Sequence, residues 1–594
     1  MATSRPAVNT QTHNEYESSN PMQIHTCPKK RLIIACDGTW MDSDGVEQVP
    51  SNITRIVRAI PAVGVDHTGP ETKPISQVTF YQNGVGTGSG GWYDQYIGKY
   101  VSGATGEGLA ANIREAYSFI CCNYHRGDDI ILLGFSRGAF TARSISTLIK
   151  QVGLLTPKGL SRLVEITDDW EHQNNKCYKT PYPDEPFSNR PSFSTKEYHK
   201  TLHDLHMTRQ NIDVKCVAVW DTVGALGLPT IALFPQPAAK EFAFVDTRVE
   251  DNIEYAFQAL GLDEKRRSYA PSIWFKPPEQ KLPVVLKQTW FPGVHSDVGG
   301  SYSNDDIANI TLAWMVGQLE EQKLVTFNRD YIVRLVRGTI KHHAQESRKL
   351  EEHHPQSLVR ANTFGPMRKW GLGKIHNSYT LFFRLGGERT RTPMEHSEVS
   401  RETMKPTEKL LQGTHEKMHA SVRVRMALDG RGYDDKGRYI SEALKGWKYI
   451  YGRCAQPDTP FQVQQPGEVG KLKDVEWVKV VTEDGKKEEV ARMAEDRMTE
   501  FERLILRHWT AAEDGWEEEA DQREYEVDTA RPTARESSRF WESPSVARES
   551  AKGSRNGVAN GTANGTVNGM QIVREAEENG GGRSRHLRLA TDID

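Results

Sequence analysis

The chain reads as an α/β fold: a mainly parallel sheet with helices on both faces, insertions, and a helical C-terminal extension. Three observations predict it. Short aliphatic runs such as Leu32 to Cys36 and Ile130 to Leu133 carry no polar face, as strands buried on both sides require. Segments with apolar residues every three or four positions lie between them, so strands and helices alternate. Each run also ends in polar residues followed by glycine. In open parallel sheets that is the rim where ligands bind.

Residues 1–29 are polar and uneven and are expected to be disordered, and the folded α/β domain is expected over 30–320. Its first strand, Arg31 to Cys36, runs into Asp37-Gly38-Thr39-Trp40, and Val78 to Gln82 forms a second strand before a glycine-rich loop, Asn83 to Gly91. Leu109, Ile113, Ala116 and Ile120 then mark one face of a helix. The strand Ile130 to Leu133 meets Gly134-Phe135-Ser136-Arg137-Gly138, and Ala139, Ala142, Ile145 and Leu148 stripe the helix that follows.

The proline-bearing stretch from about 155 to 212, with Tyr182, Pro183, Pro186 and Pro191, reads as an insertion. Strands resume at Lys215 to Val219, leading to Trp220-Asp221-Thr222-Val223-Gly224. They resume again at Leu286 to Val294, leading to His295-Ser296-Asp297-Val298-Gly299-Gly300. Between them, Leu228, Ile231, Leu233, Phe234, Phe242 and Phe244 read either as a lid over a site or as a packed loop. Residues 321–514 are expected to be a mostly helical extension, including an amphipathic helix near 488–510. Residues 515–594 contain a Gly/Asn/Thr repeat at 556–569 and are expected to be a disordered, low-complexity tail.

The whole chain sets broad limits. Its 594 residues carry a formal net charge of −3, which gives no general case for nucleic-acid binding. The seven cysteines show no metal-type spacing, and Cys36 and Cys216 fall in strands, so reduced thiols and a cytoplasmic protein are expected. No secretory pattern and no apolar run of membrane-spanning length is seen.

The Gly-x-Ser-x-Gly at 134–138, between an aliphatic strand and an amphipathic helix, has the form of a nucleophile elbow. Acyl transfer by serine needs an imidazole to take the hydroxyl proton and a carboxylate to orient it. Ser136, Asp221 and His295 occur in the chain order of α/β-hydrolases and all follow strands, so they are expected to share the rim. His376 and His419 are the rivals of His295. The backbone N–H of Arg137, with Gly38 or Thr39 as second donor, is the expected oxyanion hole. Asp37 is open between an alternative acid and a buried acceptor, Asp297 between a site-lining and a loop-holding role. The Arg137 side chain is open between anionic substrate and a structural ion pair. This chemistry calls on no metal and no cofactor.

Two other motifs compete. Gly86-x-Gly88-x-x-Gly91 spells a dinucleotide fingerprint, but the aromatic and polar Trp92-Tyr93-Asp94 follows it in place of an apolar helix. Asp37-Gly38-Thr39 resembles a phosphatase loop, but Ala35 stands where its nucleophilic aspartate belongs.

Asp37 to Trp40, Asn83 to Gly86, Gly134 to Ala139, Val219 to Gly224 and Phe291 to Gly300 together resemble the α/β-hydrolase family typified by type VI secretion phospholipase effectors, over about residues 30 to 320. The chain looks nearer to fungal single-chain members, with no recognisable delivery module. The resemblance implies a serine hydrolase with Ser136, Asp221 and His295 as its triad. Its substrate would be a carboxylic ester, with a lipid or phospholipid acyl ester as the expectation and transient contact with a membrane surface. A catalytically silent scaffold used for binding, or a hydrolase of a non-lipid small ester, are the alternatives.

Overall fold

The computed structural model describes residues 28–38, 41, 49–84, 106–175, 177–224, 248–353, 368–379, 386–399, 406–451, 475–483 and 486–513. The chain divides into two compact units, Met1–Asp521 and Gln522–Asp594, and every described residue belongs to the first. The expected disordered N-terminus (but for its last two residues) and tail, the glycine-rich loop from 85 on, and the apolar run at 226–245 lie outside the described residues.

The fold is α/β. Eight strands form the central sheet: β1 (Lys30–Cys36), β2 (Val63–Asp66), β3 (Lys73–Gln82), β4 (Asp129–Phe135), β5 (Val214–Trp220), β6 (Ile253–Gly261), β7 (Val285–Phe291) and β8 (Glu416–Met418). They run in the order β8-β7-β6-β5-β4-β1-β3-β2. Every pairing is parallel except that of β2 with β3. Alternate residues of one strand feed two cores. Leu32, Ile34 and Cys36 of β1 enter one, with Ile33 and Ala35 in the other; β4 divides likewise, Ile130 and Leu132 from Ile131, Leu133 and Phe135. Burial on both faces is why these strands are aliphatic throughout. Each buried Leu, Ile or Phe among them contributes about 1.5–3 kcal/mol by leaving water.

Helices α1 (Asn52–Arg58), α2 (Gly106–Asn123), α3 (Arg137–Val152), α4 (His295–Gly299) and α5 (Asp306–Glu321) complete the domain. Core residues of α2 and α3 pack in the first cluster and those of α1 and most of α5 in the second. Residues 155–212 form three short helices, Pro157–Leu160, Leu163–Glu171 and Lys196–Asp204, whose Trp170, Tyr198 and Leu202 are buried in the α2 and α3 core.

The extension differs from the mostly helical expectation. Among the described residues it holds six strands besides its helices Arg329–His353, Ala420–Ala427 and Glu500–Glu513. Three of them, Trp447–Tyr451, Val475–Glu483 and Lys486–Ala494, make an antiparallel sheet. The helix expected near 488–510 therefore starts at Glu500, and Met493 lies on a strand. Its mixed charges hid the pattern, because an outer sheet leaves one strand face in water and local sequence does not say which partner covers the other. The extension is also joined to the central sheet. β8 adds to β7, and Met418, Trp447, Trp477 and Met493 pack with Leu260, Trp290 and Val294.

Candidate active site

The elbow begins at β4. Phe135 is in register with Trp220 of β5, and the next residue, Ser136, turns directly into α3 with φ 58° and ψ −120°. A positive φ is costly for a residue with a Cβ and persists only where the surroundings impose it. Here Ser136 N–H donates to the Trp220 carbonyl (3.1 Å), while its carbonyl accepts from Phe140 N–H (3.3 Å). A Cβ on Gly134 would come within 2.5 Å of the Ala139 Cα, so only glycine lets the strand and helix cross this closely. Ser136 is 7% exposed.

Asp221 follows Trp220 on the neighbouring strand, and its N–H donates to the Ala259 carbonyl of β6 (2.7 Å). Parallel register thus brings both residues to the same rim. His295 enters four residues after β7 ends, as the first residue of α4. Its Nδ1 lies 2.5 Å from Asp221 Oδ2. An ionised carboxylate only accepts, so Nδ1–H donates and Nε2 is left as the acceptor of the ring. The imidazole stacks on Phe135, the neighbour of Ser136, with centroids 4.8 Å apart, and meets the Tyr269 ring edge-on at 4.9 Å.

Burial would raise the Asp221 pKa, but the Arg391 guanidinium, by charge and hydrogen bonding, and His295 hold it well below the usual carboxylate range. Arg391 donates from Nη1 to Oδ1 (2.5 Å) and from Nη2 to Oδ2 (2.8 Å), and Gly261 N–H donates to Oδ1 (3.0 Å). Burial pushes the His295 pKa down from its ordinary value against the opposing pull of Asp221.

The remaining candidates fall in different places. Asp37 is buried and accepts from Ser51 Oγ (2.6 Å), Tyr81 OH (2.7 Å) and Thr54 Oγ1 (3.1 Å), with its pKa raised by burial against these bonds. It ties the end of β1 to the start of α1. Its Oδ1 also takes the Gly38 N–H (2.6 Å), so that donor, expected in the oxyanion hole, is turned to a carboxylate. A short acceptor one residue back captured it. Thr39 lies outside the described residues. Arg137 N–H is in the first turn of α3, where a helix has no acceptor for it. The Arg137 side chain is half-buried with its pKa lowered to about 10 by burial, and no carboxylate partner is found for it among the described residues.

Asp297 holds the loop. Its Oδ2 accepts from Val294 N–H (2.9 Å) and His376 N–H (3.2 Å), and its Oδ1 pairs with His376 Nδ1 (2.6 Å). His376 is thereby engaged away from Asp221. His419 is bonded to Glu502 (2.9 Å) and Ser421 (2.8 Å) and stacks on Phe291. No group of three or more metal-ligating side chains is found among the described residues.

Residues 30–318 match the model of the T6SS phospholipase effector Tle1-like catalytic domain. That segment is similar to a Tle1-like catalytic domain. An uncharacterized protein of Saccharomyces cerevisiae is 27% identical over 266 residues, a match that takes in 42% of this chain and 33% of the yeast protein. The chain thus matches about a third of that relative's length. The Tle1-like segment contains Ser136, Asp221 and His295, whereas Arg391 and His376 lie beyond it. Sequence reasoning missed Arg391. Nothing in local spacing marks an arginine 170 residues from the carboxylate it grips.

Proposed function

We propose that the protein is a serine hydrolase of lipid acyl esters, with Ser136 as nucleophile, His295 as general base and then acid, and Asp221 as its orienting carboxylate. The observation that carries this reading is the buried 2.5 Å Asp221–His295 bond at the rim where the strained elbow presents Ser136. In the first half-reaction Ser136 Oγ attacks the acyl carbonyl carbon while His295 Nε2 takes the hydroxyl proton. The imidazolium is stabilised by Asp221, and Arg137 N–H faces the oxyanion. Collapse breaks the ester C–O bond and the alcohol leaves with the proton from Nε2. Water then repeats the sequence on the acyl-enzyme, releasing a fatty acid and freeing Ser136.

The family name supports a phospholipid as substrate. So does Arg137, a cation beside the nucleophile with no carboxylate partner among the described residues, suited to a phosphate-bearing headgroup. Such a substrate would be reached by transient contact with a membrane surface.

The test is labelling by a fluorophosphonate probe, wild type beside Ser136→Ala, followed by hydrolysis of phospholipid vesicles and soluble short-chain esters. Labelling that depends on Ser136, with acyl release from the vesicles, is expected. A folded wild type that does not label, or equal labelling of both proteins, would replace this reading with a binding scaffold. Release from the soluble esters alone would shift the substrate to a non-lipid ester.

A further inference from the structure

Arg391 lies outside the Tle1-like segment, on the described stretch 386–399, yet its guanidinium is buried at the centre of the site. Besides its two bonds to Asp221, Nη1 donates to the Gly261 carbonyl (2.6 Å) and Nη2 to the Tyr269 carbonyl (2.8 Å). One side chain therefore clamps the ends of β5 and β6 and the loop whose Tyr269 ring meets His295. Neighbouring residues of the extension converge on the same place. Ser378 Oγ donates to Glu264, which also accepts the His295 N–H (3.3 Å), and His376 holds Asp297.

We propose that Arg391 is a positioning residue of the hydrolytic site, so that the extension completes an active site the catalytic segment does not close alone. This rests on the function proposed above. The physical argument has two parts. A bidentate guanidinium fixes the plane of the carboxylate, and so the direction in which Asp221 points at Nδ1. Its charge also offsets part of the Asp221 charge, which weakens the support Asp221 gives to an imidazolium and keeps His295 a neutral base at lower pH. Among the described residues, the other charges acting on His295 are Glu264, which raises its proton affinity, and Arg266, which lowers it and is itself paired with Glu264 (2.8 Å). Asp297, on the same helix, is occupied by His376.

The experiment measures the rate of fluorophosphonate labelling against pH for full-length wild type, Arg391→Gln and Arg391→Lys, with Ser136→Ala as control and thermal melts for folding. Arg391→Gln is expected to label about tenfold or more slowly, with the midpoint of its acidic limb moved to higher pH because the full Asp221 charge then acts on His295. Arg391→Lys keeps the charge and loses the fork, so its limb stays near that of wild type while its rate falls. A folded Arg391→Gln with the wild-type rate and limb overturns the proposal. Should the glutamine variant not fold, the lysine variant decides, and a wild-type rate there overturns it equally. A wild type that labels no faster than Ser136→Ala removes the underlying function itself, an outcome distinct from a functional enzyme indifferent to Arg391.

Discussion

Gly138 packs so tightly on the end of β1 that a Cβ there would stand 2.5 Å from the carbonyl carbon of Cys36. The obstacle is backbone on the neighbouring strand, so no side chain can swing aside. Gly138→Ala is expected to cost about 1–3 kcal/mol, read as a lowered melting temperature. The folded fraction should also label more slowly, because relief of the clash must shift α3 and with it Ser136. A variant as stable and as reactive as wild type would show that the elbow is looser than its contacts imply.

Asp221→Asn bears on catalysis and stability separately. It removes the acceptor that fixes Nδ1–H, so kcat is expected to fall by about 10⁴. It also leaves the Arg391 charge buried without its counterion, a change that costs about 3–5 kcal/mol when one partner of a buried pair is lost. The double variant Asp221→Asn/Arg391→Gln should recover part of the stability and none of the activity. Melting curves of both variants check this, and a double variant less stable than Asp221→Asn would contradict it.

The pH dependence follows from His295. Its pKa is lowered by burial, and the base must be neutral to accept the Ser136 proton. Activity is therefore expected to rise with pH through a midpoint below about 6.5, the ordinary histidine value. A kcat/KM profile with its acidic midpoint at or above that value would refute the assignment. Asp221 acts on stability in the same direction. A carboxylate with a lower pKa folded than unfolded stabilises the fold above its unfolded value of about 3.9 and loses that contribution as pH falls through the folded value.

Arg137 distinguishes substrates. If its guanidinium meets a phosphate, Arg137→Gln should raise KM for an anionic phospholipid about tenfold, the equivalent of about 1.4 kcal/mol, while sparing a short uncharged ester. An equal effect on both substrates would assign the side chain a structural role.

The runs that lead to Ser136 and Asp221 were legible because a strand buried on both faces is largely apolar, and the polar residues that end it stand out against that run. The elbow was legible because a strand that turns straight into a helix excludes side chains at Gly134 and Gly138. β6 was not legible. Glu254, Tyr255 and Gln258 interrupt its pattern, and Gln258 is tolerated inside only because Thr222, Gln288 and the Ser272 carbonyl satisfy its amide.

Local pattern thus sufficed for the α/β class, the elbow and the order of the candidate catalytic residues, since each depends on contacts between neighbours in sequence or on burial that every residue of a strand shares. Which carboxylate and which imidazole meet, that Gly38 gives its N–H to Asp37, that residues 416–418 add an edge strand and that Arg391 grips Asp221 were decided only when distant segments packed. Those pairings depend on where whole elements come to rest, and a buried charge selects its partner by the distance and desolvation found there.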